Sequence, residues 1–203
     1  MKKENLPVRM LMLLTGIFVI AFGVALSIRS DLGTTPVSSV PYVFNLIFPT
    51  ISVGEFTVLL NLLFVVLQLI LLRKNFKPYL LLQIPVVILF GWFIDVSLKL
   101  MSGVIPHNYL MQWLFCIASC VIIAFGVFLL VKANVVMLPG DGLVIALSDT
   151  FKKEFGLVKI LFDSFLVLSA LIAILLLNNG LHGVREGTIA SALLVGFIVQ
   201  FYQ

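Results

Sequence analysis

The sequence has few charged side chains, and this scarcity excludes the usual kind of soluble protein. Charged residues make up 11% of the 203 positions, whereas hydrophobic residues make up 62%. The mean hydropathy is +1.22. So little polar surface cannot coat a globule in water, and lipid must therefore be the solvent for most of the chain. We interpret residues 1–203 as a single membrane domain with the lipid bilayer as its first partner.

Cysteine and histidine are scarce as well. Cys116 and Cys120 lie one helical turn apart in an apolar stretch, while His107 and His182 stand alone. This spacing indicates neither a disulfide framework nor a zinc site. The sequence also lacks a nucleophile motif, a phosphate-binding glycine loop and a metal-ligand spacing. It therefore predicts no enzyme and no cofactor.

The net charge of +4 does not point to nucleic acid, because the basic residues are scattered among short loops and no recognisable nucleic-acid module accompanies them. We interpret them instead as a topology signal, since cytoplasmic loops are enriched in Lys and Arg. With the N-terminus inside, the outer side holds only Arg29, Lys99 and Arg185. The inner side holds Lys2, Lys3, Arg9, Arg73, Lys74, Lys77, Lys132, Lys152, Lys153 and Lys159. This asymmetry predicts a multi-pass protein of the bacterial plasma (inner) membrane with both termini and the loop at Lys74 cytoplasmic.

Six apolar segments are long enough to cross the roughly 30 Å hydrocarbon core of a bilayer. The first resembles a secretory signal, but its length and the recurrence of its core later in the chain favour a spanning helix. Two shorter segments, 36–48 and 139–149, begin with proline and are predicted as half-helices that do not cross. The predicted spans are 10–29, 54–72, 79–101, 110–132, 157–177 and 187–203.

A tandem duplication is visible in the sequence. Residues 19–24, VIAFGV, recur as residues 122–127, IIAFGV, and the same offset matches Pro36 with Pro139. Chance similarity of apolar helices does not explain matched proline, glycine and charged positions in order. Three spans per repeat is an odd number, so the halves must insert with opposite orientation. The predicted fold is an all-α membrane protein with six transmembrane helices in two inverted three-helix repeats, about 10–101 and 110–203, each with a half-helix.

The candidate site lies where each repeat has an irregular stretch before its half-helix, at 30–36 and 134–142. Non-helical backbone at membrane depth survives only where protein or a wet cavity satisfies it, and half-helix N-termini present free N–H groups. The alternative is that the half-helices lie in the membrane interface and only shape the loops, with Asp141 capping its own half-helix. The predicted solute-binding residues are Thr34, Thr35, Ser38, Ser39, Asn61, Asp141 and Asp163.

Ionisable residues inside predicted spans need an explanation, because they are costly in lipid and often functional. Asp163 is the repeat equivalent of Asn61, and Lys159 lies four residues before it, so an ion pair within one helix is the competing explanation. Asp95 and Lys99 have the same spacing, and here a structural pair is favoured. Gln68, Gln83 and Glu186 are candidates for interhelical hydrogen bonds, and Glu186 could instead form a loop pair with Arg185.

Residues 29–42, RSDLGTTPVSSVPY, together with 186–196, EGTIASALLVG, resemble the YczE/YyaS/YitT family of bacterial membrane proteins. The resemblance covers nearly the whole chain. Because the C-terminal cytoplasmic domain of the longer YitT-type members is lacking, the chain is more similar to the short YczE-type branch. The resemblance implies an integral plasma-membrane protein, and it implies no particular substrate.

The leading functional hypothesis is a secondary transporter or permease of an unknown small solute, with Asp141 and Asp163 as proton- or cation-coupling groups. The alternative is a non-transporting accessory or regulatory protein that acts through a membrane partner. A wet, polar central cavity would favour transport, whereas a dry core with an exposed groove would favour the partner role. The sequence leaves the oligomeric state open, a homo-oligomer included.

Overall fold

The computed structural model describes residues 5–73, 77–176 and 183–202, and over these ranges all regular secondary structure is helical. Lys2, Lys3, Lys74 and His182 lie outside the described residues. A short 3₁₀ turn, Pro78–Leu82, precedes the fourth helix. The α-helices are α1 (Leu6–Arg29), α2 (Pro36–Ile47), α3 (Val53–Leu72), α4 (Gln83–Leu100), α5 (Tyr109–Ala133), α6 (Pro139–Phe151), α7 (Phe155–Leu176) and α8 (Glu186–Tyr202).

Five of the described helices are long and apolar enough to cross a membrane: α1, α3, α4 with its 3₁₀ turn, α5 and α7. The chain is therefore a helical membrane protein, as the composition predicts. The sixth predicted span corresponds to α8, which has 17 residues. The predicted half-helices are α2 and α6, with 12 and 13 residues, and each begins at proline in the first helical position. Proline suits this position because its missing N–H would have no partner there.

Helices α1 and α5 form the centre of the fold and run antiparallel. Near one end of the pair, Arg9 Nε donates to the carbonyl of Ala133 over 2.8 Å. Farther along, a Cβ built on Gly126 would lie 3.0 Å from the carbonyl oxygen of Gly16. Residue numbers thus rise along α1 while they fall along α5. Glycine at the contact lets the two backbones approach closely, as small residues do between membrane helices.

The other helices surround this central pair. Helix α4 packs on α1 and on α3, whereas α8 packs on α5. Each half-helix contacts both α3 and α7, so that α2 and α6 lie between these two long helices. An apolar cluster that includes Val37, Phe64 and Leu166 holds this layer together. Phe64 and Leu166 are near the midpoints of α3 and α7, and the start of α2 therefore lies about half-way along the bundle.

The start of α3 is fastened to the end of α4 by a carboxylate. Asp95 Oδ2 accepts a hydrogen bond from Ser52 Oγ at 2.6 Å, and Oδ1 accepts one from the Gly54 N–H at 2.9 Å. Ser52 and Glu55 also form a capping box. The predicted Asp95–Lys99 pair is wrong, since no ion pair joins these two described residues. The free N–H groups of a helix start are the better partners for the carboxylate, because they lack intrahelical acceptors.

Candidate functional site

The two half-helices meet at their starts. A Cβ built on Gly140, the second residue of α6, would lie 3.8 Å from Val37 Cγ1, the second residue of α2. The same position would be 3.9 Å from the ring of Phe64. The two N-termini therefore adjoin one another, as the transport-site hypothesis requires. The positive dipole ends of both helices therefore lie close to the same region.

Three charged side chains lie together beside the start of α6, and we call Asp141, Lys159 and Asp163 the triad. Lys159 Nζ is 3.2 Å from Asp141 Oδ1 and 3.1 Å from Asp163 Oδ1. The exposed fractions of the side chains are 41% for Asp141, 29% for Lys159 and 16% for Asp163. Two carboxylates share one ammonium, which gives the triad a formal charge of −1.

The triad decides between alternatives that the sequence left open. The ion pair within α7 does form, and it is extended by Asp141 from another helix. Asp141 does not cap α6, because Leu138 occupies the N-cap position and no side-chain hydrogen bond caps this helix start. Asp163 Oδ1 is shielded from solvent and accepts no hydrogen bond from the described residues, so Lys159 is its electrostatic compensation.

The equivalent positions of the first half carry neutral polar side chains. The repeat offsets match Asp141 with Ser38, Lys159 with Thr57 and Asp163 with Asn61. Asn61 Nδ2 donates to the Thr57 carbonyl at 2.8 Å, and Ser38 Oγ accepts from Thr35 Oγ1 at 3.0 Å. Polarity is thus shared between the halves at three positions, while charge is confined to the second half.

Thr34 and Ser39 serve the scaffold. The Thr34 N–H donates to the Gly183 carbonyl at 3.3 Å, and Ser191 Oγ donates to the Thr34 carbonyl at 3.4 Å. Ser39 Oγ donates to the carbonyl of Pro36 in its own helix at 2.7 Å. The two bonds to the Thr34 backbone hold the segment before α2 against the start of α8.

The structure therefore brings together only part of the predicted site. Asp141 and Asp163 are joined through Lys159, and no hydrogen bond or ion pair within the described ranges connects them to the other candidates. Those candidates are Thr34, Thr35, Ser38, Ser39 and Asn61.

Two buried glutamines fix the start of α6 on α3 and α4. Gln68 Nε2 donates to Gln83 Oε1 at 3.3 Å and to the Pro139 carbonyl at 3.1 Å. A Cβ built on Gly142 would lie 2.9 Å from both amides, so glycine is needed for this close approach. The predicted role of these glutamines in joining helices is confirmed.

The contact between Asp141 and Lys159 is the functional feature that sequence reasoning missed. Lys159 was considered only as a partner for Asp163 within α7. A usable signal existed, because both halves carry polar residues at the same three positions of the repeat. Such a pattern indicates that the three side chains lie near one another across two helices.

An apolar recess, about 450 Å³ in volume, lies between α3 and α7 with α2 and α6 as its floor. Apart from Ser169 its lining is hydrophobic, and several lining residues are repeat equivalents. Leu63 and Phe165 at its rim are exposed, so the recess opens sideways toward lipid. It differs from the polar cavity expected at the half-helix junction. Among the residues that line the recess, the positions that correspond between the two repeats include Val40 with Leu143, Leu60 with Phe162, and Phe64 with Leu166.

Comparison with known proteins gives a family for this chain. Residues 7–203 match a family of unknown function, DUF6198. The chain belongs to this family. It is also 28% identical over 188 residues to the uncharacterized protein YyaS of Bacillus subtilis (strain 168), an alignment that covers 92% of this chain and 88% of the relative. No solved structure matches.

Membership of the DUF6198 family, with similarity to YyaS, agrees with part of the resemblance read from the sequence. Affiliation with the YitT proteins and with the short YczE-type branch stays a prediction. Neither the family description nor the name of the relative carries a substrate or an activity. Function must therefore be argued from the triad, the half-helices and the recess.

Proposed function

We propose that this protein is a secondary transporter or permease of a small solute, with six spans in two inverted three-helix repeats. The observation that carries the proposal is the meeting of two half-helix N-termini, with a charged triad beside the start of α6. Inverted-repeat transporters place their sites near the bilayer midplane, where discontinuous helices end.

The packing of the helices supports the inverted repeat. Exchange of the two halves turns the α1–α4 contact into α5–α8, α2–α7 into α6–α3, and α2–α3 into α6–α7, and these pairs pack together, whereas the α3–α4 contact has no comparable α7–α8 counterpart among the described residues. The α1–α5 pair maps onto itself. Its antiparallel course is what a two-fold axis in the membrane plane requires, because such an axis reverses the direction of each helix.

The sixth span and the orientation are part of the same proposal. With 17 residues, α8 is about 25 Å long, which is near the lower end of the spanning range. An even number of spans places both termini on one side. The excess of Lys and Arg in the loops of that side favours the cytoplasm of a bacterium, with the protein in the plasma membrane.

The triad supplies the energy-coupling element of the proposal. Lys159 bridges Asp141 on α6 and Asp163 on α7, so a proton or cation bound to one carboxylate frees the ammonium for the other. The contact between α6 and α7 then differs between the two charge states. A ligand that interacts differently with two conformations shifts the population between them, which is the requirement for coupled transport.

The test is solute-driven proton movement in proteoliposomes, followed with a pH-sensitive dye inside the vesicles. Amino acids, organic anions and organic cations are added in turn. Asp141→Asn keeps the shape of the side chain and removes its charge, so it should alter the rate or pH dependence of uptake. Asp149→Asn, an exposed aspartate on the same helix, is the matched control and should behave like the native protein. If Asp141→Asn transports normally at every pH, the triad is not the coupling site.

The recess favours one further candidate, a non-transporting accessory protein that acts through its lateral surface. Its apolar lining opens between α3 and α7 and offers a place for another membrane helix, either of a partner or of a second copy. The same proteoliposomes separate the two functions. An accessory protein moves no solute under any gradient, whereas a transporter works in the purified, reconstituted state.

A further inference from the structure

Two of the helices that line the recess, α6 and α7, also carry the triad, and at similar positions along each helix. Phe162 of the lining precedes Asp163 directly, and Leu143 of the lining follows Asp141 by two residues. One helical turn therefore carries both an apolar wall and a negative charge. Within the part of the chain that the structure describes, no charged residue lines the recess itself.

The shape of the recess suits an organic molecule that arrives through the bilayer. Its volume of about 450 Å³ falls in the range of small-molecule sites, about 300–1,000 Å³. The rings of Phe64 and Phe162 meet edge to face at 5.3 Å within it, and Phe165 lies at the exposed rim. Aromatic rings attract cations through their faces as well as packing against apolar groups. The lateral opening provides entry from lipid without passage through water.

The charge of the triad selects the sign of the ligand. Two carboxylates and one ammonium leave one negative charge without a protein partner, and such a charge is costly in an apolar medium. A monovalent cation in the recess neutralises it, whereas an anion adds to it. A bare metal ion is a poor fit, because Ser169 is the one polar residue in the lining and hard cations need several oxygen ligands.

We propose that the recess between α3 and α7 binds a lipophilic organic cation that enters sideways from the bilayer, with the triad as its counter-charge. The proposal rests on the transport function and names the substrate class of that site. Binding of the cation competes with Lys159 for the two carboxylates. This competition links the occupancy of the recess to the contact between α6 and α7.

The test is binding of tetraphenylphosphonium to the full-length protein in neutral detergent, measured by calorimetry with empty micelles subtracted. Tetraphenylborate, which has the same shape and the opposite charge, is the ligand control. The native protein should bind the cation about a hundredfold more tightly than the anion, since one unit charge at a separation of about 8 Å, in a medium of effective dielectric constant about 30, strengthens cation binding about tenfold and weakens anion binding by the same factor. Equal affinities would mean partition into an apolar surface and would overturn the proposal.

Variants locate the site. Asp163→Asn should weaken cation binding about tenfold by the same Coulomb argument, and Asp163→Glu should retain it because the charge is kept. Ser169→Trp should abolish binding by filling the recess. The matched controls are Asp149→Asn and Ser164→Trp, whose native side chains are exposed on α6 and α7, and both should bind normally. Normal binding by Asp163→Asn or Ser169→Trp, with each variant eluting as the folded protein, refutes the assignment.

The outcome is separable from that of the proposed function. If tetraphenylphosphonium fails to bind while other solutes drive proton movement in proteoliposomes, the cation site is wrong and transport stands. If the cation binds with the expected dependence on Asp163 and Ser169 while no solute moves, the site stands and the transport proposal is wrong.

Discussion

Replacement of Gly54 by alanine tests the packing of α3 against α4. A Cβ built on Gly54 would lie 2.5 Å from Asp95 Oδ2 and 2.6 Å from its carboxyl carbon, with the Gly91 carbonyl oxygen also in conflict. Ordinary van der Waals contacts begin at about 3.4 Å. Because the Gly91 oxygen belongs to the backbone of α4, it cannot rotate away, and the two helices must separate.

The expected loss of stability has two parts. Overpacking of this kind costs about 1–3 kcal/mol. The Asp95 carboxylate must also move away from Ser52 Oγ and the Gly54 N–H, and hydrogen bonds to a charged group contribute about 1.5–3 kcal/mol each. Alanine returns up to about 1 kcal/mol through its higher helix propensity. The free energy of unfolding should therefore fall by about 3–8 kcal/mol.

The repeat provides the control. Gly156 is the equivalent of Gly54 and occupies the same position, second in its helix, but a Cβ built on it would meet nothing within 4 Å. Gly156→Ala should leave the free energy of unfolding unchanged or raise it by up to about 1 kcal/mol. Both variants can be compared with the native protein by reversible unfolding in mixed micelles of neutral detergent and dodecyl sulfate. If the two alanine variants agree within about 0.5 kcal/mol, close α3–α4 packing at Gly54 is refuted.

Three further predictions concern the core, the triad and the topology. Gly126→Ala should lower the free energy of unfolding by about 1–3 kcal/mol, because its Cβ would lie 2.5 Å from Ile20 Cγ1. Gly103→Ala is the control: its Cβ would meet nothing within 4 Å, so the same unfolding titration should show no change. Lys159→Met leaves two carboxylates without their cation, and because the three side chains are 16–41% exposed it should cost about 1–3 kcal/mol at pH 7, less than the loss of a fully buried pair. Part of the loss should be recovered in a double variant that also carries Asp163→Asn, and an unchanged unfolding midpoint would contradict the role of the triad. Asn75→Cys should react in intact cells with a membrane-permeant maleimide and resist an impermeant one, because the six-span orientation places residue 75 in the cytoplasm. The native Cys116 and Cys120 are buried and should add little background. Labelling by the impermeant reagent would overturn the six-span orientation.

Local features of the chain were predictable from the sequence because they depend on near neighbours. Apolar runs of about 20 residues determine where the long helices lie, and their observed bounds differ from the predicted ones by a few residues. Pro36 and Pro139 begin the half-helices, because proline is well suited to the first helical position, where its missing N–H would have no partner. These signals need no knowledge of which helices pack together.

Contacts between distant segments were harder to predict, since the sequence does not state which side chains face each other. The i, i+4 spacing of Asp95 and Lys99 suggested a pair within one helix, yet the carboxylate turns to the start of α3. In α7 the same spacing did form a pair, and Asp141 joined it from α6. Spacing alone cannot separate these two cases, because the competing partner comes from another helix.

The two halves of the chain combine a common scaffold with different chemistry, and this difference bears on mechanism. Equivalent positions hold Ser38, Thr57 and Asn61 in the first half, where the amide of Asn61 is satisfied within its own helix. The second half places the triad there, and its three charges depend on contacts between two helices. At these equivalent positions, we therefore expect a change of protonation or a bound cation to alter helix packing in the second half and not in the first. In inverted-repeat transporters the two halves exchange roles during the transport cycle. If they do so here, the ion binds the triad in one of the two exchanged conformations, and each conformation then favours a different charge state of the triad.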